Sequence, residues 1–240
     1  MSKKTCYILA TCMFLLFGIL IALLLTVDVT NSGVKGSNIG LSGINVPMRD
    51  IIGTSRLFYN ISKIIGAIGV GLCAFLCAML GFRVLRKKSL KALNKKEYAL
   101  IGLYFVTAIF YVAFDKIVIN YRPFIKWDES GPESSFPSTH SLMAIVIFAG
   151  LAHATSDYIK NELTLKIIQM ACVIMALLVI IGRIFSGVHW ITDIIGGIIL
   201  GIGLVCIYLG IVTDTDNPSE TDEQFLLSRS KTKKERKHDY

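Results

Sequence analysis

The sequence predicts an all-α membrane protein: a bundle of six transmembrane helices with its functional site at the extracytoplasmic face. Three observations carry that prediction. The 240-residue chain is 53% hydrophobic with a mean hydropathy of +0.61, more apolar than soluble domains of this length. Six apolar runs lack Asp, Glu, Lys and Arg altogether. Three short polar islands interrupt the apolar pattern, each at the end of a run.

The runs, in order, are Tyr7–Val27, Ile64–Phe82, Tyr98–Phe114, Thr139–Ser156, Ile167–Gly182 and Ile194–Thr213. A hydrocarbon core of about 30 Å takes about 20 helical residues. The first, second and sixth runs suffice alone. The other three borrow flanking residues. The first run follows Lys3 and Lys4 and so has the form of a signal peptide, but its length and the lack of a clear small-residue cleavage site favour a retained helix. Residues 1–213 therefore read as one transmembrane domain. Residues 214–240 read as a basic, flexible cytoplasmic tail, dispensable for chemistry.

The loops carry less information. Asp28–Lys63 opens polar and Gly/Ser/Asn-rich. It then turns mildly amphipathic, with Ile51, Ile52, Leu57, Phe58 and Ile61 among Arg49, Asp50, Arg56 and Lys63. A short helix lying on the membrane surface fits that pattern, as lid or as plain connector. In the last run, Gly197 and Gly201 are spaced for close helix packing. The six cysteines all lie in or beside apolar runs and read as small packing residues.

Six spans place both termini, the Arg83–Glu97 loop and the loop after Ser156 on one side. That side holds 17 of the 25 lysines and arginines. The positive-inside rule makes it cytoplasmic. The basic tail needs no nucleic acid to explain it; topology and anionic lipid headgroups suffice.

The first polar island runs from Lys116 to Arg122-Pro123, after the third span. The second is Phe136-Pro137-Ser138-Thr139-His140, opening the fourth. The third is Gly182-Arg183-Ile184-Phe185-Ser186-Gly187-Val188-His189-Trp190-Ile191-Thr192-Asp193, between the fifth and sixth. No span separates the first two, and two spans separate the second from the third. All three must emerge on one face, which the charge rule makes extracytoplasmic. Singly, each has a plain reading: snorkelling cations, a Pro-Ser/Thr helix start, an interfacial His-Trp anchor. Their convergence favours one site.

Lys116, Arg122 and Arg183 there are cations, His140 and His189 imidazoles, and Asp193 a carboxylate. Three cations want an anion, and arginine forks match phosphate oxygens. The start of the fourth span, around Ser138 and Thr139, adds backbone N–H groups and the positive end of a helix dipole. His189 is the better nucleophile, because Asp193, four residues on, can hold one ring nitrogen. His140 is then the general acid that protonates the leaving oxygen and later the base that activates water. Two imidazoles and one carboxylate beside three cations make a poor metal site, so no metal or other cofactor is expected.

The islands resemble the signature motifs of the type-2 phosphatidic acid phosphatase superfamily: Lys-x6-Arg-Pro, Pro-Ser-Gly-His and Ser-Arg-x5-His-x3-Asp. Arg122-Pro123 fits the end of the first. Pro137-Ser138-Thr139-His140 fits the second with Thr in place of Gly. Arg183, His189 and Asp193 fit the third at the expected spacing. The resemblance implies His189 as nucleophile, Asp193 as its orienting partner and His140 as general acid. It implies Arg122, Arg183, Ser138 and Thr139 as phosphate ligands, without a metal. Lys116 is implied too, but five residues rather than six separate it from Arg122, and Asp115 holds the motif position. One residue turns a helix by about 100°. Gly182 replaces the Ser before Arg183.

The expected function is a membrane-integral hydrolase removing a terminal phosphate from a phospholipid or polyprenyl (pyro)phosphate through a phosphohistidine. The alternative is a transporter or lipid-binding protein that uses the same residues as an anion site; polar groups at helix ends rather than mid-membrane favour the enzyme.

Overall fold

The computed structural model describes residues 1–127 and 129–216, with side chains described as far as Thr213. The tail expected beyond residue 213 therefore lies almost wholly outside the described residues. Among the described residues seven α-helices follow one another: α1 (Lys3–Thr26), α2 (Ser42–Ile52), α3 (Arg56–Lys87), α4 (Lys95–Lys116), α5 (Thr139–Tyr158), α6 (Glu162–Ser186) and α7 (Ile191–Asp216). All but α2 are long and apolar enough to cross a membrane, and the six-span all-α bundle expected from the sequence is the fold observed.

Polar side chains set the helix starts. The Ser2 hydroxyl accepts from the Thr5 amide at α1. Asn94 and Glu97 form a capping box at α4. Ser138 caps α5 and Asn161 caps α6. At the far end of α6, Gly187 takes a positive φ of 67°. A Cβ there would collide with the Gly53 carbonyl, so only glycine ends this helix against the α2–α3 junction.

The central helices are α5 and α7. Within their most apolar windows 50% and 56% of residues are buried, against 17–22% in the other four spans. α1, α4 and α5 pack on α7, while α3 and α6 pack on α5. The outer helices turn Leu15, Phe75, Phe82, Phe105 and Met170 outward, as a lipid-facing surface requires. The α5–α7 seam depends on small residues. A Cβ on Gly197 would stand 2.5 Å from the Ser138 carbonyl, and one on Gly201 3.1 Å from Ile145. This is the close packing that their spacing suggested.

Phe17 of α1 stacks on Phe136 at 5.6 Å, and Phe114 of α4 meets Phe17 edge-on at 5.7 Å. This aromatic knot is the floor beneath the α4–α5 loop. At the other end of the bundle, Arg83, Glu97 and Tyr158 form a hydrogen-bonded set joining α3, α4 and α5. His153 of α5 bonds the Tyr208 hydroxyl of α7 at 2.8 Å, joining the two central helices.

The expected surface helix in the first long loop divides in two. α2 ends at Ile52, and Gly53, with φ 69°, turns the chain. Leu57, Phe58 and Ile61 then begin the spanning helix α3. The apolar residues after position 53 are thus membrane residues, because a positive-φ glycine breaks the helix between the two sets. Asn45 of α2 accepts from the Thr192 amide and hydroxyl, fastening this loop to the start of α7.

Candidate active site

The three islands meet at one end of the bundle, and hydrogen bonds between loop backbones bring them there. The α4–α5 loop doubles back so that Arg122 N donates to Glu133 O at 3.1 Å and Ser135 N to Asn120 O at 2.9 Å. Ser138 N donates to the Asp193 carbonyl at 2.8 Å, tying the start of α5 to α7. The Trp190 indole N–H donates to Tyr121 O at 2.7 Å. Backbone donors and acceptors lacking helical partners are thereby satisfied, which fixes the loops against each other.

His189 sits at the centre, in the turn between α6 and α7. Its Nδ1 lies 3.0 Å from the Ser135 carbonyl. A carbonyl only accepts, so Nδ1 carries the proton and Nε2 keeps its lone pair. Nε2 is approached at 3.1 Å by Nη1 of Arg122 and at 3.1 Å by Nη2 of Arg183. Burial, then the charges of Arg122 and Arg183, hold this imidazole well below the usual histidine range, so it is neutral at physiological pH.

Asp193 is close but is not the shorter contact. Its Oδ2 is 3.6 Å from His189 Nδ1 and 2.8 Å from the Trp190 amide, from which it accepts. The sequence expectation rested on a helical turn between positions 189 and 193. His189 precedes α7, which starts at Ile191, so the two side chains do not stack as i and i+4 of one helix. Ser135, which the motifs did not single out, supplies the shorter bond.

Arg183 is 1% exposed. Its guanidinium carbon lies 5.3 Å over the Tyr59 ring, yet its Nε and Nη1 have no hydrogen-bond partner among the described residues. Buried guanidinium N–H groups are costly to leave unmatched. Such a group suits an anionic ligand. Gly182, next to it, lets α3 approach: a Cβ there would lie 2.8 Å from that of Ser62.

Beside His189 opens a cavity of about 540 Å³, within the range of small-ligand sites. Arg122, Lys126, Glu133, Thr139, His140 and His189 line it. The Nδ1 of His140 is buried without a hydrogen-bond partner among the described residues. Tyr111, Phe114 and Val118, at the end of α4, form an apolar margin.

Four expected residues do not line this cavity: Arg183 and Asp193, which contact His189 instead, and Ser138 and Lys116. The Ser138 hydroxyl is fully buried and bonded to Ser141, so its work is to cap α5. Lys116 is 78% exposed and pairs with Asp115 at 2.9 Å, while Asp115 itself borders the cavity. The one-residue shift in the motif rotates the lysine off the inward face.

A family model described as the PAP2 superfamily matches residues 97–216, half of the chain. The chain belongs to the PAP2 superfamily. Phosphatidylglycerophosphatase B of Bacillus subtilis (strain 168) is 32% identical over 80 residues, covering 32% of this PAP2 chain and 38% of that protein. The chain thus matches about two-fifths of the length of that curated relative. The crystal structure of a transmembrane PAP2-type phosphatidylglycerolphosphate phosphatase from Bacillus subtilis superposes with a TM-score of 0.60. It covers 88% of this chain and 98% of the other at 18% identity, which shows a shared fold. This PAP2 chain is accordingly a multi-pass membrane protein. All three islands fall within the matched region.

Proposed function

We propose that the chain is an integral-membrane lipid phosphatase that removes a terminal phosphate from a phospholipid or polyprenyl (pyro)phosphate, without a metal, through a phosphohistidine at His189. The observation that carries this is the pair of 3.1 Å contacts from Arg122 and Arg183 to a neutral Nε2. Two guanidinium groups that gather a phosphate's oxygens would set its phosphorus beside that lone pair.

Nε2 attacks phosphorus, the bond from phosphorus to the lipid oxygen breaks, and His140 gives that oxygen a proton. Water then attacks the phosphohistidine while His140 takes its proton, which releases inorganic phosphate and restores His189. Arg122 and Arg183 spread the charge on the non-bridging oxygens in flight. Asp193 steadies the imidazole, and Thr139 at the start of α5 contributes to phosphate binding. The two arginines do this in place of a divalent ion.

The location of 17 of the 25 basic residues on the side opposite the islands supports an extracytoplasmic site with both termini cytoplasmic. The apolar margin at the end of α4 gives the lipid chains a route from the bilayer to the cavity.

The test is phosphate release by purified protein from a panel including phosphatidic acid, phosphatidylglycerophosphate and undecaprenyl pyrophosphate. The relative's name puts phosphatidylglycerophosphate in that panel. We expect turnover on at least one, a loss of about three orders of magnitude in His189→Ala, and an acid-labile phosphoenzyme absent from that variant. Absence of turnover on every lipid, with phosphate still bound, would favour a transporter or lipid-binding protein.

A further inference from the structure

We propose that Lys126, rather than Lys116, is the third cation that grips the substrate phosphate, and that the Glu133 carboxylate competes with that phosphate for Lys126 and Arg122. This rests on the phosphatase reading for the word substrate, but the cation assignment stands on geometry of its own.

Lys116 points to Asp115 and away from the cavity. Lys126, ten residues further along, is 15% exposed at its side chain and lines the cavity with Arg122, His140 and His189. Its Nζ lies 2.7 Å from Glu133 Oε2 and 3.6 Å from Glu129. The same Oε2 accepts from Nε of Arg122 at 2.9 Å. Two cations from different parts of the loop thus converge on one anionic oxygen, the geometry they would present to a phosphate oxygen. Burial pushes the Glu133 carboxyl up, but hydrogen bonds and charge from Lys126 and Arg122 outweigh it and hold the group below the usual carboxylate range.

Lys126 is also held in position by its neighbours. Trp127 packs on Phe124 at 5.1 Å and on Tyr59 at 5.5 Å. Tyr59 is the ring beneath Arg183. The segment bearing Lys126 is therefore anchored to the residue that also carries the buried arginine. A lysine amine is a point charge with three donors, so it can leave a carboxylate for a doubly charged phosphate without a fixed fork to realign.

Calorimetric titration of the full-length protein in detergent with inorganic phosphate reads this directly, without turnover. Lys126→Ala should weaken phosphate binding about tenfold or more, as expected for a charge-assisted contact. Lys126→Arg should recover most of that, and Lys116→Ala should stay within about twofold, as an exposed ion pair allows. Glu133→Gln should tighten binding by removing the competing charge.

An unchanged affinity in Lys126→Ala, an equal loss in Lys116→Ala, or no recovery in Lys126→Arg would overturn the assignment. Weaker binding in Glu133→Gln would overturn the competition. Size-exclusion profiles matching the parent exclude misfolding as the cause. Lys126-dependent binding without hydrolysis of any lipid phosphate would sink the phosphatase reading alone. Hydrolysis with Lys126-independent phosphate binding would sink this one alone.

Discussion

The Nδ1 of His189 lies 3.0 Å from the main-chain carbonyl of Ser135. The proposed nucleophile is thus oriented by backbone from the loop before α5, and a side-chain substitution cannot delete that bond. Asp193, at 3.6 Å, is left with two tasks: an electrostatic one toward His189 and a capping one toward Trp190. These tasks can be separated.

Asp193→Asn keeps an oxygen able to accept from the Trp190 amide but removes the charge. It should melt close to the parent and lose turnover by about 10- to 100-fold, the range for removing a supporting partner of a functional imidazole. Asp193→Ala should lose both, with about 1 kcal/mol less stability from the missing cap. Thermal melts and initial rates on the two purified variants decide this. Equal melting of the two would show that the cap contributes nothing.

Arg183 contributes a planar fork over the Tyr59 ring and buried N–H groups without partners among the described residues. Arg183→Lys retains charge but neither geometry. Turnover should fall about 100-fold or more, on the scale of one lost charge-stabilising donor. A lysine variant with near-parent kcat would mean that charge alone suffices.

Burial and the two arginines keep folded His189 neutral, whereas the unfolded chain protonates it near pH 6.5. Only the unfolded state takes up that proton, so this component of stability is complete above about pH 6.5. It is lost progressively below, by about 1.4 kcal/mol per pH unit. His189→Asn removes the titration. The melting temperature of the parent relative to this variant should therefore fall between pH 7.5 and 5.5; a constant difference would mean that His189 is protonated in the folded protein too.

Gly197 faces the Ser138 carbonyl across the α5–α7 seam, leaving no room for a side chain. Gly197→Val should destabilise the bundle by about 1–3 kcal/mol and depress activity further, since Ser138 caps the helix that begins with Thr139 and His140. Gly71, where a Cβ meets nothing within 4 Å, is the control: Gly71→Ala should melt at or slightly above the parent.

Much of this was legible in the residues. Six charge-free runs announce six spans, because the bilayer tolerates few charges and demands a fixed helix length. The number of spans between them puts the three islands on one face without any coordinates. Motif spacing singled out Arg122, His140, Arg183, His189 and Asp193, and the structure brings all five together. Lys126 and Glu133 were not legible: a lysine and a glutamate in a long polar loop look like any solvated pair. Ser135 left no side-chain signal, since it acts through its carbonyl.

By itself the sequence determined the membrane class, the number of spans and the residue types gathered at one face, because hydrophobic length and helix parity are properties of the chain alone. Only the tertiary structure decided which of those groups touch. The α4–α5 loop folds back on its own backbone hydrogen bonds, so it delivers Ser135 to His189 and Lys126 to the cavity. Those outcomes depend on contacts between segments far apart in the chain, which local spacing does not encode.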